Sequence, residues 1–179
     1  MGGSATDAAL VTERRAAAWE VAASVTDPEM PMLTLADLGV LRDVSVEGGR
    51  VVVTITPTYS GCPAMATMRD DLVRSLQEQG WPQVEVRVSL SPAWTTDWIS
   101  DAGRRALREH GMSPPRPSAG GGTSGSPVQL RLLPVRRAVD CPRCGSSAVE
   151  VTSEFGPTAC TAVYRCTSCL EPFQHVKEI

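Results

Sequence analysis

Residues 40–63 read VLRDVSVEGGRVVVTITPTYSGCP. Val40 to Glu47 and Arg50 to Thr56 flank Gly48-Gly49, and two such residues between apolar runs predict a β-hairpin. Val44 and Val46 fall on one face of the first strand, and Val51, Val53 and Ile55 on one face of the second. A short loop follows, Thr58-Tyr59-Ser60-Gly61-Cys62. Pro63 then suits the first position of a helix, where its missing N–H costs nothing. The stretch therefore runs from hairpin to loop to helix.

Outward from it, the same logic orders the rest of residues 1–112. Ala9 to Val25 reads as a helix, with Val11, Ala18, Val21, Ala22 and Val25 recurring at helical spacings. Asp27-Pro28-Glu29 stops it, because the residue before a proline disfavours helical geometry. Past Pro63, Met65, Met68, Leu72, Val73 and Leu76 give the second helix a buried stripe, and Gly80 ends it. Val84, Val86, Val88 and Leu90 alternate, which predicts a strand with one buried face. Thr96 to His110, carrying Trp98, Ile99, Ala102, Ala106 and Leu107, reads as a last helix. The order α-β-β-α-β-α specifies a small α+β sheet domain.

At Ser113 the composition changes. Ser113 to Pro127 reads SPPRPSAGGGTSGSP, in which all but Arg116, Ala119 and Thr123 are Gly, Ser or Pro. Such a segment buries too little to offset its ordering entropy and is expected to be a flexible linker, residues 113–127. Residues 128–179 remain as a second domain. It is short enough that a metal or disulfides would normally supply part of its stability.

Its cysteines point to a metal. Cys141-Pro142-Arg143-Cys144 and Cys166-Thr167-Ser168-Cys169 are two C-x-x-C pairs with 21 residues between them. Each pair can form a knuckle that turns two thiolates toward one centre, and two knuckles complete a tetrahedron, so a small β zinc ribbon is expected. Gly145 suits the tight turn after the first pair, and Val149, Val151, Ala162, Val163 and Tyr164 look like strands joining the knuckles. Arg143 and Arg165 flank the thiolates. Four thiolates also suit a mononuclear iron or an iron–sulfur cluster. A redox C-x-x-C pair would want a βαβ context that is absent.

Three further features carry candidate chemistry. Cys160 is either a small buried side chain or an extra thiol able to accept sulfur or iron. His175 reads as a surface histidine. Cys62, the one cysteine of residues 1–112, precedes the expected helix start. There the helix field lowers a thiol pKa and favours a nucleophilic or metal-binding thiolate; the bland alternative is a loop cysteine tucked under the sheet. Asp27, Glu29 and Asp37 either line a pocket around Cys62 or cap local turns. A cysteine-protease mechanism lacks its base, because the chain has only His110 and His175.

Composition narrows the classes. The chain has 179 residues, 42% of them hydrophobic and 4% aromatic, so the core is mostly aliphatic. The net charge is −3. Residues 128–179 hold six basic and five acidic residues, net +1. A nucleic-acid-binding ribbon would want a cluster of cations, so that function is disfavoured. No run approaches a membrane span, and Met1 to Ala18 lacks the apolar core of a signal peptide. The expected location is the cytoplasm, where thiols stay reduced and are read as ligands before disulfides.

Asp27-Pro28-Glu29, Asp37-Leu38-Gly39-Val40 and Thr56-Pro57-Thr58-Tyr59-Ser60-Gly61-Cys62-Pro63 resemble the SufT-like family of metal–sulfur cluster biosynthesis proteins. The ribbon, with Ser153-Glu154-Phe155-Gly156, Thr158-Ala159-Cys160 and Glu171-Pro172-Phe173, narrows the likeness. The whole is similar to the PaaD-like family associated with the phenylacetyl-CoA epoxidase (ring-1,2-epoxidase) complex of phenylacetate degradation. That resemblance implies an accessory protein, not an enzyme, that matures or delivers iron or iron–sulfur clusters. Its clients would be the reductase component or the diiron oxygenase, with iron–sulfur assembly machinery as a further partner. Cys62 would correspond to the family's functional cysteine. The competing expectation is a structural or docking component of the epoxidase.

Overall fold

Gly48 and Gly49 carry φ of 58° and 87°, left-handed values that a two-residue hairpin turn requires and glycine adopts freely. They close the antiparallel pair β1 (Leu41–Glu47) and β2 (Arg50–Ile55), with Glu47 opposite Arg50 and Val44 opposite Val53. The computed structural model describes residues 4–59, 61–116 and 139–178, with side chains from Ala9 onward. It divides into two compact units that part between Leu107 and Arg108.

In the first unit, α1 (Ser4–Ala23) leads into the hairpin, α2 (Met65–Glu78) follows it, and β3 (Val84–Val88) returns parallel to β2. The sheet order is β1-β2-β3. Helix α1 packs on β1 and on α2, and α2 packs on β3. The core is aliphatic as expected: Ala18, Ala22, Val44, Val51, Val53, Ile55, Met68, Leu72 and Leu76 are buried. The opposite sheet face carries a cross-strand charge ladder, Arg50 to Glu85 at 2.8 Å and Arg87 to both Glu85 and Glu47.

Several boundaries differ from the sequence expectation. Helix α1 starts at Ser4 and ends at Ala23. Val11 lies on the apolar stripe but is 50% exposed, because α1 has no buried residue from Ala9 to Ala17. Strand β3 lies at a sheet edge, so its expected buried face is only half-covered, and Val88 and Leu90 are 45% and 61% exposed. The single helix expected over 96–110 is a short 3-10 turn (Thr96–Trp98) followed by α3 (Asp101–Glu109). Ser100 breaks it: its hydroxyl accepts the Gly103 N–H at 2.9 Å and so caps α3. Trp94 is buried and donates its indole N–H to the Leu38 carbonyl.

The second unit is a four-stranded sheet of order β4-β7-β6-β5, with β4 (Met112–Ser113), β5 (Val149–Ser153), β6 (Thr161–Cys166) and β7 (Pro172–Val176). Strands β5, β6 and β7 are antiparallel neighbours, and β4 runs parallel to β7. Ser113, which opens the Gly/Ser/Pro-rich stretch, is buried in β4 with its carbonyl 3.1 Å from His175 Nδ1. Residues 117–127 of the expected linker lie outside the described residues. His175 is buried, contrary to the surface position expected: Tyr164 meets its ring edge-on at 5.5 Å, and Phe173 stacks on Tyr164 at 5.9 Å. Among the described residues no helix is long and apolar enough to cross a membrane.

Candidate metal centre and thiol loop

The two C-x-x-C pairs fold into matching knuckles. In the first, the Cys141 N–H donates to the Ser146 carbonyl and the Gly145 N–H to the Cys141 carbonyl, each at 2.9 Å, with Gly145 at φ 73°. In the second, the Cys166 N–H donates to the Glu171 carbonyl at 3.0 Å, and Leu170 takes φ 64°. Strand β6 delivers Cys166 to the centre at its C-terminal end, and β7 begins at Pro172, just past the second knuckle. Three contacts join the knuckles. Thr167 donates its N–H and its hydroxyl to the Ala148 carbonyl, both at 2.9 Å, and the Ser146 and Ser168 hydroxyls meet at 2.8 Å. The hydroxyl residues at the non-cysteine positions give no signal in the sequence beyond their place in the motif.

All four sulfurs lie within 4.8 Å of one another. Cys144 and Cys166 approach to 3.6 Å and Cys141 and Cys169 to 3.7 Å, each in hydrogen-bond geometry. Sulfurs held about 2.3 Å from a tetrahedral zinc are about 3.8 Å apart, so the donor set fits that ion. The Cys169 N–H draws the Cys166 thiol down to about 6. The Glu171 N–H draws Cys169 down too, yet burial and the three neighbouring thiols outweigh it and push Cys169 up to about 12. Four sulfurs this close shed all their protons only with a cation between them. Val139, Cys141, Ala162, Tyr164, Cys166 and Phe173 form the apolar cluster behind the site.

Cys160 sits just before β6, at the end of the strand opposite Cys166, and is outside the four-cysteine group. It is buried, with its sulfur 3.1 Å from the Thr158 hydroxyl.

Cys62 is half-buried in the loop between β2 and α2. Its N–H donates to the Tyr59 carbonyl at 3.3 Å, and its carbonyl accepts the Met65 N–H at 3.4 Å. The first helical residue is Met65 and the cap is Ala64, so Cys62 stands two residues ahead of the cap and Pro63 is outside the helix. The Met65 N–H is spent on the Cys62 carbonyl. The loop leaves the C-terminal end of β2, beside the end of β3, where the Ser89 N–H donates to the Ile55 carbonyl.

The three acids have local work. Asp27 is buried and accepts the Glu29 and Met30 N–H groups at 2.8 and 2.7 Å, closing the turn after α1. Burial raises its carboxyl above the usual range despite those two bonds, and burial together with the Asp27 charge raises Glu29. Asp37 accepts the Thr34 and Ser100 hydroxyls at 2.9 and 2.5 Å, tying the loop before β1 to the cap of α3. Among the described residues the four cysteines are the one close group of three or more metal-ligating side chains; Cys62, Asp27, Glu29 and Asp37 do not assemble another.

Known proteins match both units. Residues 125–177 match the family profile described as PaaD zinc beta ribbon domain, and residues 15–90 match one described as iron-sulfur cluster assembly protein. An Escherichia coli (strain K12) protein named as a component of a 1,2-phenylacetyl-CoA epoxidase is 43% identical over 159 residues, covering 89% of this chain and 90% of its own. The Bacillus subtilis (strain 168) Fe-S protein maturation auxiliary factor YitW is 33% identical over 87 residues, 46% of this chain and 82% of its own. The crystal structure of a DUF59 domain from Bacillus anthracis aligns with a TM-score of 0.52 at 26% identity, covering 56% of this chain and 96% of that one.

Proposed function

The chain belongs to the PaaD family of phenylacetyl-CoA epoxidase proteins, and from that premise we propose that it matures or delivers iron or iron–sulfur centres for the phenylacetyl-CoA 1,2-epoxidase system. The observation that carries this reading is one chain holding both an iron–sulfur assembly domain and a zinc ribbon. The Cys62 loop is the site of metal or sulfur handling. Iron or sulfur there is cargo, held in passing by a soft thiolate.

Cys141, Cys144, Cys166 and Cys169 hold one zinc. That ion supplies folding energy to the second unit and no chemistry. The ribbon serves as the docking module for the oxygenase or reductase components and for iron–sulfur assembly machinery. The protein acts in the cytoplasm and is not itself an enzyme. Its relatives carry the names of an epoxidase component and of an auxiliary factor.

The test is the iron and sulfide content of the epoxidase components purified from cells with and without this chain. Depleted centres in its absence, restored when it is supplied, are the expected result. Fully loaded components that instead retain this chain in stoichiometric amount would support the second reading, a docking component, which the relative's name as part of the epoxidase favours.

A further inference from the structure

The four sulfurs of the ribbon are not equivalent. Cys141 and Cys166 are buried, at 2% and 0% exposure, whereas Cys144 and Cys169 are exposed. Each of the two sulfur–sulfur contacts with hydrogen-bond geometry joins one of either kind, Cys144 to Cys166 at 3.6 Å and Cys141 to Cys169 at 3.7 Å. Both contacts cross from one knuckle to the other. Within a knuckle the backbone closes each turn, through Gly145 N–H to the Cys141 carbonyl and Cys169 N–H to the Cys166 sulfur at 3.5 Å. A small oxidant arriving from solvent therefore meets Cys144 or Cys169 first. The sulfur that stands in hydrogen-bond geometry to the one it oxidises belongs to the other knuckle.

Resting on the zinc reading above, we propose that this centre is a peroxide-modification site that closes into two cross-knuckle disulfides, Cys144–Cys166 and Cys141–Cys169. The Cys144 thiolate attacks one oxygen of hydrogen peroxide, the O–O bond breaks, and a sulfenic acid forms as hydroxide leaves. The Cys166 thiolate then attacks the Cys144 sulfur, the S–O bond breaks, and a second hydroxide leaves as the disulfide forms. The zinc loses two thiolate ligands and dissociates as the aqua ion. A second peroxide does the same at Cys169, resolved by Cys141. Four thiolates are oxidised to two disulfides while two peroxides are reduced to four hydroxides. A thiol reductant with zinc reverses the change. Cys144 and Cys169 are thus the entry points, and Cys166 and Cys141 the resolving residues.

The experiment uses the full-length protein. Zinc content is measured first. About one zinc per chain establishes the premise, and its absence removes both the zinc reading and this inference. The zinc-loaded protein is then titrated with hydrogen peroxide, with metal release followed by a chromogenic chelator and links mapped by non-reducing peptide analysis. Trypsin cuts after Arg143 and Arg165, which places Cys141, Cys144 and the Cys166/Cys169 pair on separate peptides. Fragmentation between Cys166 and Cys169, and between Cys144 and Cys160 on the middle peptide, then assigns each partner. The expected result is release of the whole zinc content together with the Cys144–Cys166 and Cys141–Cys169 links. Links within a knuckle, the opposite crossing (Cys141–Cys166 with Cys144–Cys169), or zinc retained while Cys62 is oxidised would each overturn the proposal and leave the zinc reading standing.

Discussion

Gly145 and Leu170 occupy the same place in the two knuckles, one residue past the second cysteine, and both lie in the left-handed region at φ 73° and 64°. Glycine takes that conformation without penalty; a leucine there bears a steric cost of about 1–2 kcal/mol. Leu170 is also 60% exposed, so little packing offsets it. Leu170→Gly is expected to leave stability unchanged or raise it by up to about 1 kcal/mol, once the added freedom of the unfolded chain is counted. Gly145→Val is expected to lower it by roughly 1–2 kcal/mol. Urea unfolding of the zinc-loaded protein measures both, and a Leu170→Gly loss above about 1 kcal/mol would contradict this account of the turn.

The acid turn after α1 gives a pH prediction. The folded-state value of Asp27 is raised above 3.8 by burial. Its contribution to stability is therefore fully present below 3.8 and is lost as pH rises through the folded value. Asp27→Asn keeps an acceptor for the Glu29 and Met30 N–H groups and removes the buried charge. The variant is expected to gain on the wild type as pH rises from about 4 toward neutrality. Asp27→Ala leaves two N–H groups without their acceptor and should cost about 1–3 kcal/mol at low pH, and less as pH rises and the wild type loses the Asp27 contribution. Parallel denaturation series at several pH values decide it; an Asp27→Asn curve parallel to the wild type would contradict the linkage.

Strand β4 is a member of the ribbon's sheet. Met112 and Ser113 pair with Gln174 and His175, and the Ser113 carbonyl lies against the His175 ring. A zinc-loaded fragment of residues 108–179 is expected to be more stable than one of residues 128–179. The difference should be roughly 1–3 kcal/mol, from the buried Met112 side chain and the lost hydrogen bond. Chelation should unfold either fragment, because metal binding and folding are coupled in so small a core. Thermal unfolding with and without a chelator measures both effects. Equal stability of the two zinc-loaded fragments would show β4 to be dispensable.

The hairpin and the four-cysteine centre are legible because each rests on strict local chemistry. Gly48-Gly49 fixes one turn and hence one register, and paired C-x-x-C motifs admit few geometries. The start of α2 is harder to place because Pro63 fits a helix equally well just outside its cap, and the actual cap, Ala64, makes no side-chain bond that a sequence would reveal. Strand β7 escapes a reading in which His175 is polar. Its ring is buried against Tyr164, so the alternation of Phe173 and His175 is an apolar one in the fold. The buried face expected for β3 depends on what lies over the sheet edge, which alternation along one strand does not encode. Asp27 and Asp37 are legible as turn formers, but Asp37 finds Ser100 across 63 residues, beyond the reach of local pattern.

The central claim is that Cys62 handles metal or sulfur, while the ribbon's four cysteines hold a structural ion. Cys62→Ser keeps the side chain's size and removes the soft ligand. Half-buried in a loop ahead of the α2 cap, it can change without disturbing the core. The most direct measurement is phenylacetyl-CoA epoxidase activity in cells whose sole copy of this chain carries Cys62→Ser, with zinc content and urea midpoint measured on the purified variant. The account expects about one zinc per chain, a midpoint within error of the wild type, and epoxidase activity as low as in cells lacking the chain. Full epoxidase activity in those cells, with the variant folded and zinc-loaded, would contradict it.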